Sequence, residues 1–224
     1  MVDTSIWWKK PRRVSVVIDN PSWVLPWGES LVATLRAAGD DASLVASQEE
    51  VPQGAVAFYL GCLRITPPGV LALNRRNLVV HASDLPKGRG FSPLTYQILE
   101  GCNRIPVCLL EAAEPVDSGP AIYREYIDYE GHELIDELRS KLGDMTVELC
   151  LRFMGEPVPP QGQPQQGEPS VYPRRRPADS SLDPGRTIAE QFSLLRTVDN
   201  DKYPAYFDLN GHRYVITIEK VGKQ

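Results

Sequence analysis

Short apolar runs limit what this chain can become. Residues 14–18, 42–46, 55–60, 78–80 and 105–110 have strand length rather than helix length. Runs of this kind, bounded by turn residues, read as buried strands. Helical patterns lie between several of them. Residues 29–38 carry Leu31, Leu35 and Ala38 at helical spacing and stop at Gly39. Residues 69–74 make a short helical turn. Ser92 caps a further helix that has Pro93 first, where a missing N–H costs nothing, Leu94 and Ile98 on one face, and Gly101 at its end. Residues 121–129 read as another strand. Residues 132–153 form a long amphipathic helix marked by Leu134, Leu138, Leu142, Met145, Leu149 and Phe153. Strands alternating with helices imply a Rossmann-like, doubly wound α/β fold with a mainly parallel sheet.

The sequence divides into a main domain over 1–156, a linker over 157–172 and a small C-terminal region over 173–224. The linker is rich in proline and glutamine and has no apolar period, so an extended segment is expected. In the C-terminal region Thr187-Ile-Ala-Glu190 is a capping box opening a helix, with Ile188, Phe192 and Leu195 as its stripe. Asn210-Gly211 then joins residues 203–207 to 212–218 as a hairpin. The run Arg174-Arg175-Arg176 is either a set of solvated charges or a grip on phosphate.

Composition removes several function classes. No apolar run approaches the ~20 residues needed to span a bilayer, and no membrane partner is expected. The N-terminal stretch, with Trp7, Trp8 and the basic residues from Lys9 to Arg13, lacks the apolar core of a signal peptide. A cytoplasmic protein is the expectation. Cys62, Cys102, Cys108 and Cys150 show no CxxC spacing, which points to buried thiols rather than a metal site. A net charge of −5 argues against a general nucleic-acid surface.

Candidate chemistry sits at the end of one strand. Leu78-Val-Val80 runs into His81, and the loop beyond is broken by Pro86, Gly88 and Gly90. Open α/β sheets place ligands at such strand ends. The strand over 105–110 delivers Glu111 to Gly119, and with them Asp117, to the same edge of the sheet as His81. The loop over 19–28 carries Trp23 and Trp27, which either pack over the sheet edge or face the ligand crevice.

His81-Ala-Ser-Asp-Leu-Pro-Lys-Gly-Arg-Gly90 resembles the H-x-S-L-L-P-x-x-x-G signature of the folate-dependent formyltransferases. Glu114 to Gly119 is similar to that family's D-x-G element, and residues 92–101 to the helix between the two. The resemblance covers residues 55–155, with a weaker echo at 194–207, which looks like the start of the small C-terminal region of sugar-modifying members. It implies transfer of a formyl group from 10-formyltetrahydrofolate, without a metal, to an amine. The favoured acceptor is an amino-sugar nucleotide. Peptide, ornithine-type or antibiotic-precursor amines, hydrolysis of the formyl-folate, and a folate-binding relative without turnover stay open. The C-terminal region is too short for the tRNA-binding domain of the methionyl-tRNA members, and no nucleic-acid partner is expected. A homodimer is left open.

By the same resemblance His81 is the base and Asp117 the carboxylate that orients it and stabilises its charged form. The family's oxyanion donor stands two residues before the histidine, where this chain has Val79. Asn77, the nearest asparagine on that strand, lies ~13 Å back along it on the same face. Protonated His81 or backbone N–H groups are the remaining candidates for the oxyanion. The loops after residues 60, 82 and 111 would hold the folate, through Gly61, Arg64, Ser83, Leu85, Gly88, Arg89, Gly90 and Glu111. Lys87 or Arg89 would either meet the folate glutamate or stay solvated. The tryptophan-bearing first loop departs from the family's Gly-rich turn.

Overall fold

In the computed structural model, which describes residues 6–222, the early runs form the parallel strands expected of them. β1 (Arg13–Val17), β2 (Asp41–Val45), β3 (Gly54–Tyr59) and β4 (Asn74–His81) lie in the order β2-β1-β3-β4. Helix α1 (Leu25–Ala37) links β1 to β2, and the short α2 (Pro68–Leu71) precedes β4. The order reverses between β1 and β3, so a crevice opens beyond their carboxyl ends.

After β4 come β5 (Arg89–Gly90), α3 (Pro93–Leu99), β6 (Arg104–Glu111), β7 (Ala121–Asp128) and α4 (Ile135–Gly155). Strand β6 runs antiparallel to β4, with His81 opposite Cys108 and Leu78 opposite Glu111. The sequence reading takes β6 to deliver residues 111–119 directly to the edge that holds His81. Instead Glu111 lies level with the middle of β4, and the following loop must fold back. A run buried on both faces has the same composition in either direction, which is why the sequence does not reveal this.

One face of the sheet carries the larger core. Val14, Val16, Phe58, Leu78, Val107 and Leu109 pack against Leu31 and Leu35 of α1 and Leu138, Leu149 and Phe153 of α4. Phe58 and Phe153 meet edge-on at 6.2 Å. Burying each such ring stabilises by about 1.5–3 kcal/mol. The opposite face has a smaller cluster, Val17, Val45, Ala57 and Tyr59, packed on Val79 and the residues of α2. Asn77, Val79 and His81 alternate onto this thinly covered face.

The C-terminal half brings the main departure from expectation. Residues 157–172 are extended, but they are docked rather than free. Ala121 and Gln163 exchange backbone hydrogen bonds of 2.9 and 2.7 Å. Strand β8 (Val171–Tyr172) pairs in parallel with β5, placing Arg89 opposite Val171 and Gly90 opposite Tyr172. The capping box at Thr187 and Glu190 forms, yet it opens a 3-10 turn and then only α5 (Phe192–Leu195). The hairpin β9 (Ala205–Leu209) and β10 (His212–Ile216) forms around Asn210-Gly211, both at positive φ.

Leu182, Leu195, Val198 and Ala205 make a small core of their own. Arg196 anchors it to the main sheet, donating to the Glu133 carboxylate at 3.1 Å, to the Glu133 carbonyl at 3.0 Å and to Asn103 Oδ1 at 2.8 Å. Burial alone would raise the Glu133 carboxyl, but N–H donors from Glu130 and Gly131 and the Lys141 ammonium outweigh it and hold it at about 2. A carboxyl held below its ordinary 4.5 contributes stability that is complete above that value and lost as pH falls toward 2. The protection of the amides at residues 192–199, relative to their intrinsic exchange rates, should therefore stay constant above pH 5 and fall in acid before that of the β1–β4 amides does. Simultaneous loss of both sets would show that Glu133 does not control the dock.

Candidate active site

His81 ends β4 with its side chain toward the thin face and only 6% of the residue exposed. The loop after β6 folds back over it. Asp117 reaches φ 57° there, a left-handed conformation that costs a non-glycine residue roughly 1–3 kcal/mol. Its Oδ2 lies 3.5 Å from His81 Nδ1 and accepts the Gly90 N–H at 2.9 Å. A Cβ at Gly119 would sit 2.0 Å from the Glu111 carbonyl oxygen, so the turn admits only glycine. That is the physical content of the D-S-G spelling.

The ring's other nitrogen, Nε2, lies 2.7 Å from the Gly88 carbonyl oxygen. A carbonyl only accepts, so Nε2 carries a hydrogen; a carboxylate also only accepts, so Nδ1 facing Asp117 is best met as N–H. At 3.5 Å the two side chains form an ion pair when the ring is protonated, rather than a short hydrogen bond. A protonated His81 would have no lone pair for a proton and would instead bring positive charge to the cleft, the form of stabilisation an oxyanion needs.

The pair faces a cleft of about 1200 Å³ whose lining includes His81, Asp117, Val79 and Tyr59. Of the residues expected to bind folate, Gly61, Arg64, Arg89, Gly90 and Glu111 line this cleft. Gly61 accepts from Asn20 through its carbonyl, and Arg64 pairs with Glu49. Ser83, Leu85 and Gly88 stand behind the wall: Ser83 and Leu85 are each 1% exposed, and the Gly88 carbonyl is turned to His81. Glu111 contributes chiefly backbone, because its carboxylate pairs with Arg76, whose guanidinium stacks 5.2 Å over Phe153. Burial pushes that carboxyl up, with Arg76 opposing it.

Asn77 takes no part in the cleft. Its Nδ2 donates to the Leu71 and Asn74 carbonyls at 2.8 and 3.3 Å, and its Oδ1 accepts from Tyr59 at 3.2 Å. The amide is spent tying α2 to the sheet. Val79 does line the cleft, against Leu85, Cys108 and Leu110. The place where the family carries its asparagine is apolar here.

Other contributors escaped the sequence reading. Asp19, just after β1, accepts from Leu63 N at 2.8 Å, Arg64 N at 3.1 Å, Gln48 at 3.1 Å and Asn20 at 2.9 Å. Burial would raise its carboxyl, but these bonds outweigh it and hold it below the usual range. Asp19 thereby shapes the loop that presents Gly61 and Arg64; a polar residue ending the first strand is the signal that pointed there. The two tryptophans divide the roles proposed for them. Trp23 lines the cleft, while Trp27 lies across Gly143 and donates to Asp144 at 2.9 Å. Arg174 and Arg175 of the arginine run also line the cleft, with Arg174 standing 5.6 Å over Phe91. Among the described residues no group of His, Cys, Asp or Glu is arranged to hold a metal ion, and no helix is long and apolar enough to cross a membrane.

An open α/β sheet with a strand-end imidazole–carboxylate pair over a large cleft defines the class of fold. No protein-family model matches the chain. It is 30% identical over 164 residues to the methionyl-tRNA formyltransferase of Cereibacter sphaeroides, covering 72% of this chain and 53% of that protein. The chain spans from under a third to about half the length of the curated relatives it matches. The structure is similar to methionyl-tRNA formyltransferase from Clostridium thermocellum, at a TM-score of 0.73 and 19% identity over 94% of this chain and 95% of that one. A sugar N-formyltransferase from a Shewanella species gives 0.66 and 15% identity over 94% and 99%. In sequence the chain is similar to methionyl-tRNA formyltransferases, and its fold is that of the formyltransferases.

Proposed function

We propose that this protein moves a formyl group from 10-formyltetrahydrofolate to the amine of a small anionic acceptor, an amino-sugar nucleotide above all. The observation that carries the reading is the His81–Asp117 pair lining a cleft that arginines also line. Pockets for single ligands run to roughly 300–1,000 Å³, so about 1200 Å³ accommodates donor and acceptor together. Trp23 and Phe91 give flat apolar surface, and Arg174 and Arg175 give charge for phosphate. The likeness to formyltransferases supports folate as the formyl carrier, and a cytoplasmic location is part of the same proposal.

In this reading the acceptor nitrogen attacks the formyl carbon, an oxyanion forms, and the bond to the folate nitrogen breaks as the amine proton passes to that nitrogen. Imidazolium His81 stabilises the oxyanion in place of the family's asparagine, and Asp117 stabilises the imidazolium. To take a proton as base, His81 must first turn Nε2 away from the Gly88 carbonyl. The occupied Nε2 and the apolar Val79 site also favour a second reading, a folate-binding relative without turnover.

The test is turnover of the full chain with 10-formyltetrahydrofolate against nucleotide-linked amino sugars, free amino sugars, ornithine-type amines, methionyl-tRNA and water. The expected result is N-formylation fastest with a nucleotide-linked amino sugar. Formylation of methionyl-tRNA alone would overturn the acceptor assignment. Formate release without an amine would make the protein a hydrolase, and tight folate binding with no turnover would establish the second reading.

A further inference from the structure

We propose that Gln165 is a positioning residue for the His81–Asp117 pair, which makes residues 157–172 part of the site's machinery. The inference rests on the formyl-transfer reading for its kinetic consequence but not for its geometry. Gln165 Nε2 donates to the Asp117 carbonyl at 2.7 Å and the Gly119 carbonyl at 2.8 Å. Both of its hydrogens are thus spent on the two carbonyls that flank Ser118. Its Oε1 accepts from Arg89 Nη2 at 2.6 Å. The residue after Arg89 is Gly90, whose N–H donates to the Asp117 carboxylate.

One amide therefore joins the two loops that must stay in register. On one side is the D-S-G turn, with Asp117 at a positive φ. On the other is the histidine loop, from which Gly88 and Gly90 reach His81 and Asp117. A primary amide is the side chain that presents two donors and an acceptor from one planar group. A carboxylate of the same size would turn acceptors toward two carbonyls.

The amide is not the strap's sole anchor: backbone bonds join Gln163 to Ala121 and β8 to β5, and the Ser170 Oγ accepts the Gly88 N–H at 2.9 Å. Changing the Gln165 head group should leave the strap in place and loosen the carboxylate.

The experiment compares Gln165→Glu and Gln165→Met with the wild-type chain. Both keep the stem, and neither offers two N–H donors. Kinetic and NMR readouts are taken together, because the chain has only three histidines. Of these His132 and His212 are exposed and far from this network in sequence, so the His81 ring signals are separable and assigned by their loss in His81→Ala. The proposal expects kcat to fall on the order of 10- to 100-fold, the scale of a 1 Å misplacement, with KM for folate changed by less. It also expects the His81 ring resonances to move while those of His132 and His212 hold. Wild-type kcat and an unmoved His81 signal in a folded variant would overturn it. If the wild-type chain transfers no formyl group, the formyl-transfer reading fails by itself and the NMR comparison still decides the role of Gln165.

Discussion

Asp117→Asn is expected to lower formyl transfer by two or more orders of magnitude, on the scale of general acid–base effects, while folate affinity stays close to that of the parent. The substitution preserves shape and the left-handed turn, since asparagine tolerates that conformation. It also keeps an oxygen to accept the Gly90 N–H. What it removes is the charge 3.5 Å from His81 Nδ1. A neutral amide supports an imidazolium far less than a carboxylate does. Since the two side chains act as one unit, their effects should not add. Asp117→Asn combined with His81→Ala should be little slower than His81→Ala alone. If Asp117 serves only to cap its turn, the single variant would melt earlier and keep its rate; a melting curve beside kcat/KM separates the outcomes. Full additivity in the double variant would also contradict a coupled pair.

The second large effect is expected on removal of residues 157–224. The proline and glutamine content of residues 157–172 reads as a linker, and a linker is dispensable. In the structure Ser170 accepts the Gly88 N–H and the Arg89 N–H, the Tyr172 carbonyl accepts the Phe91 N–H, and Gln165 holds Arg89. The Tyr172 ring stacks on Tyr96 at 4.6 Å and its hydroxyl donates to Glu100. At roughly 0.5–1.5 kcal/mol for each such bond, losing these four would release the histidine loop although α1 and α4 still cover the larger core. The truncated chain should therefore fold, show fast exchange at the amides of Gly88 to Phe91, and have lost transfer. Protection of those amides and a wild-type rate in the truncated chain would restore the linker reading.

These cases indicate which parts of the molecule were legible in the sequence. The strands of the parallel half, the Asn210-Gly211 hairpin and the strand-end histidine follow from local chemistry: apolar runs, turn residues at positive φ, and a break after His81. The D-S-G turn was legible only through the family resemblance, and the structure supplies its physical reason, since a Cβ at Gly119 has no room. Long-range pairing was not. Nothing in residues 105–110 reveals that β6 runs against β4, and so the level of Glu111 was misjudged. The carboxylate of Glu111 is met by Arg76, and the amide of Asn77 by Tyr59 and two carbonyls near α2. Sequence position put Glu111 in a folate-holding loop and Asn77 on the histidine's strand, but their partners come from other elements. The strap was the hardest to read. It docks through main-chain bonds and a glutamine amide, which leave no apolar period to detect. The arginine run kept two readings open for a related reason, because whether Arg174 and Arg175 reach a cleft depends on where that strap ends.

The central claim is that the His81–Asp117 cleft moves a formyl group to an amine, and one isotope experiment tests it most directly. Wild-type protein and His81→Ala, each shown to be folded, are mixed in single-turnover amounts with folate carrying a labelled formyl group and with a nucleotide-linked amino sugar. The account predicts label on the acceptor nitrogen with wild-type protein, one equivalent for each folate consumed, and none above background with His81→Ala. Equal transfer by both proteins would contradict it, as would label that stays on folate or leaves only as formate.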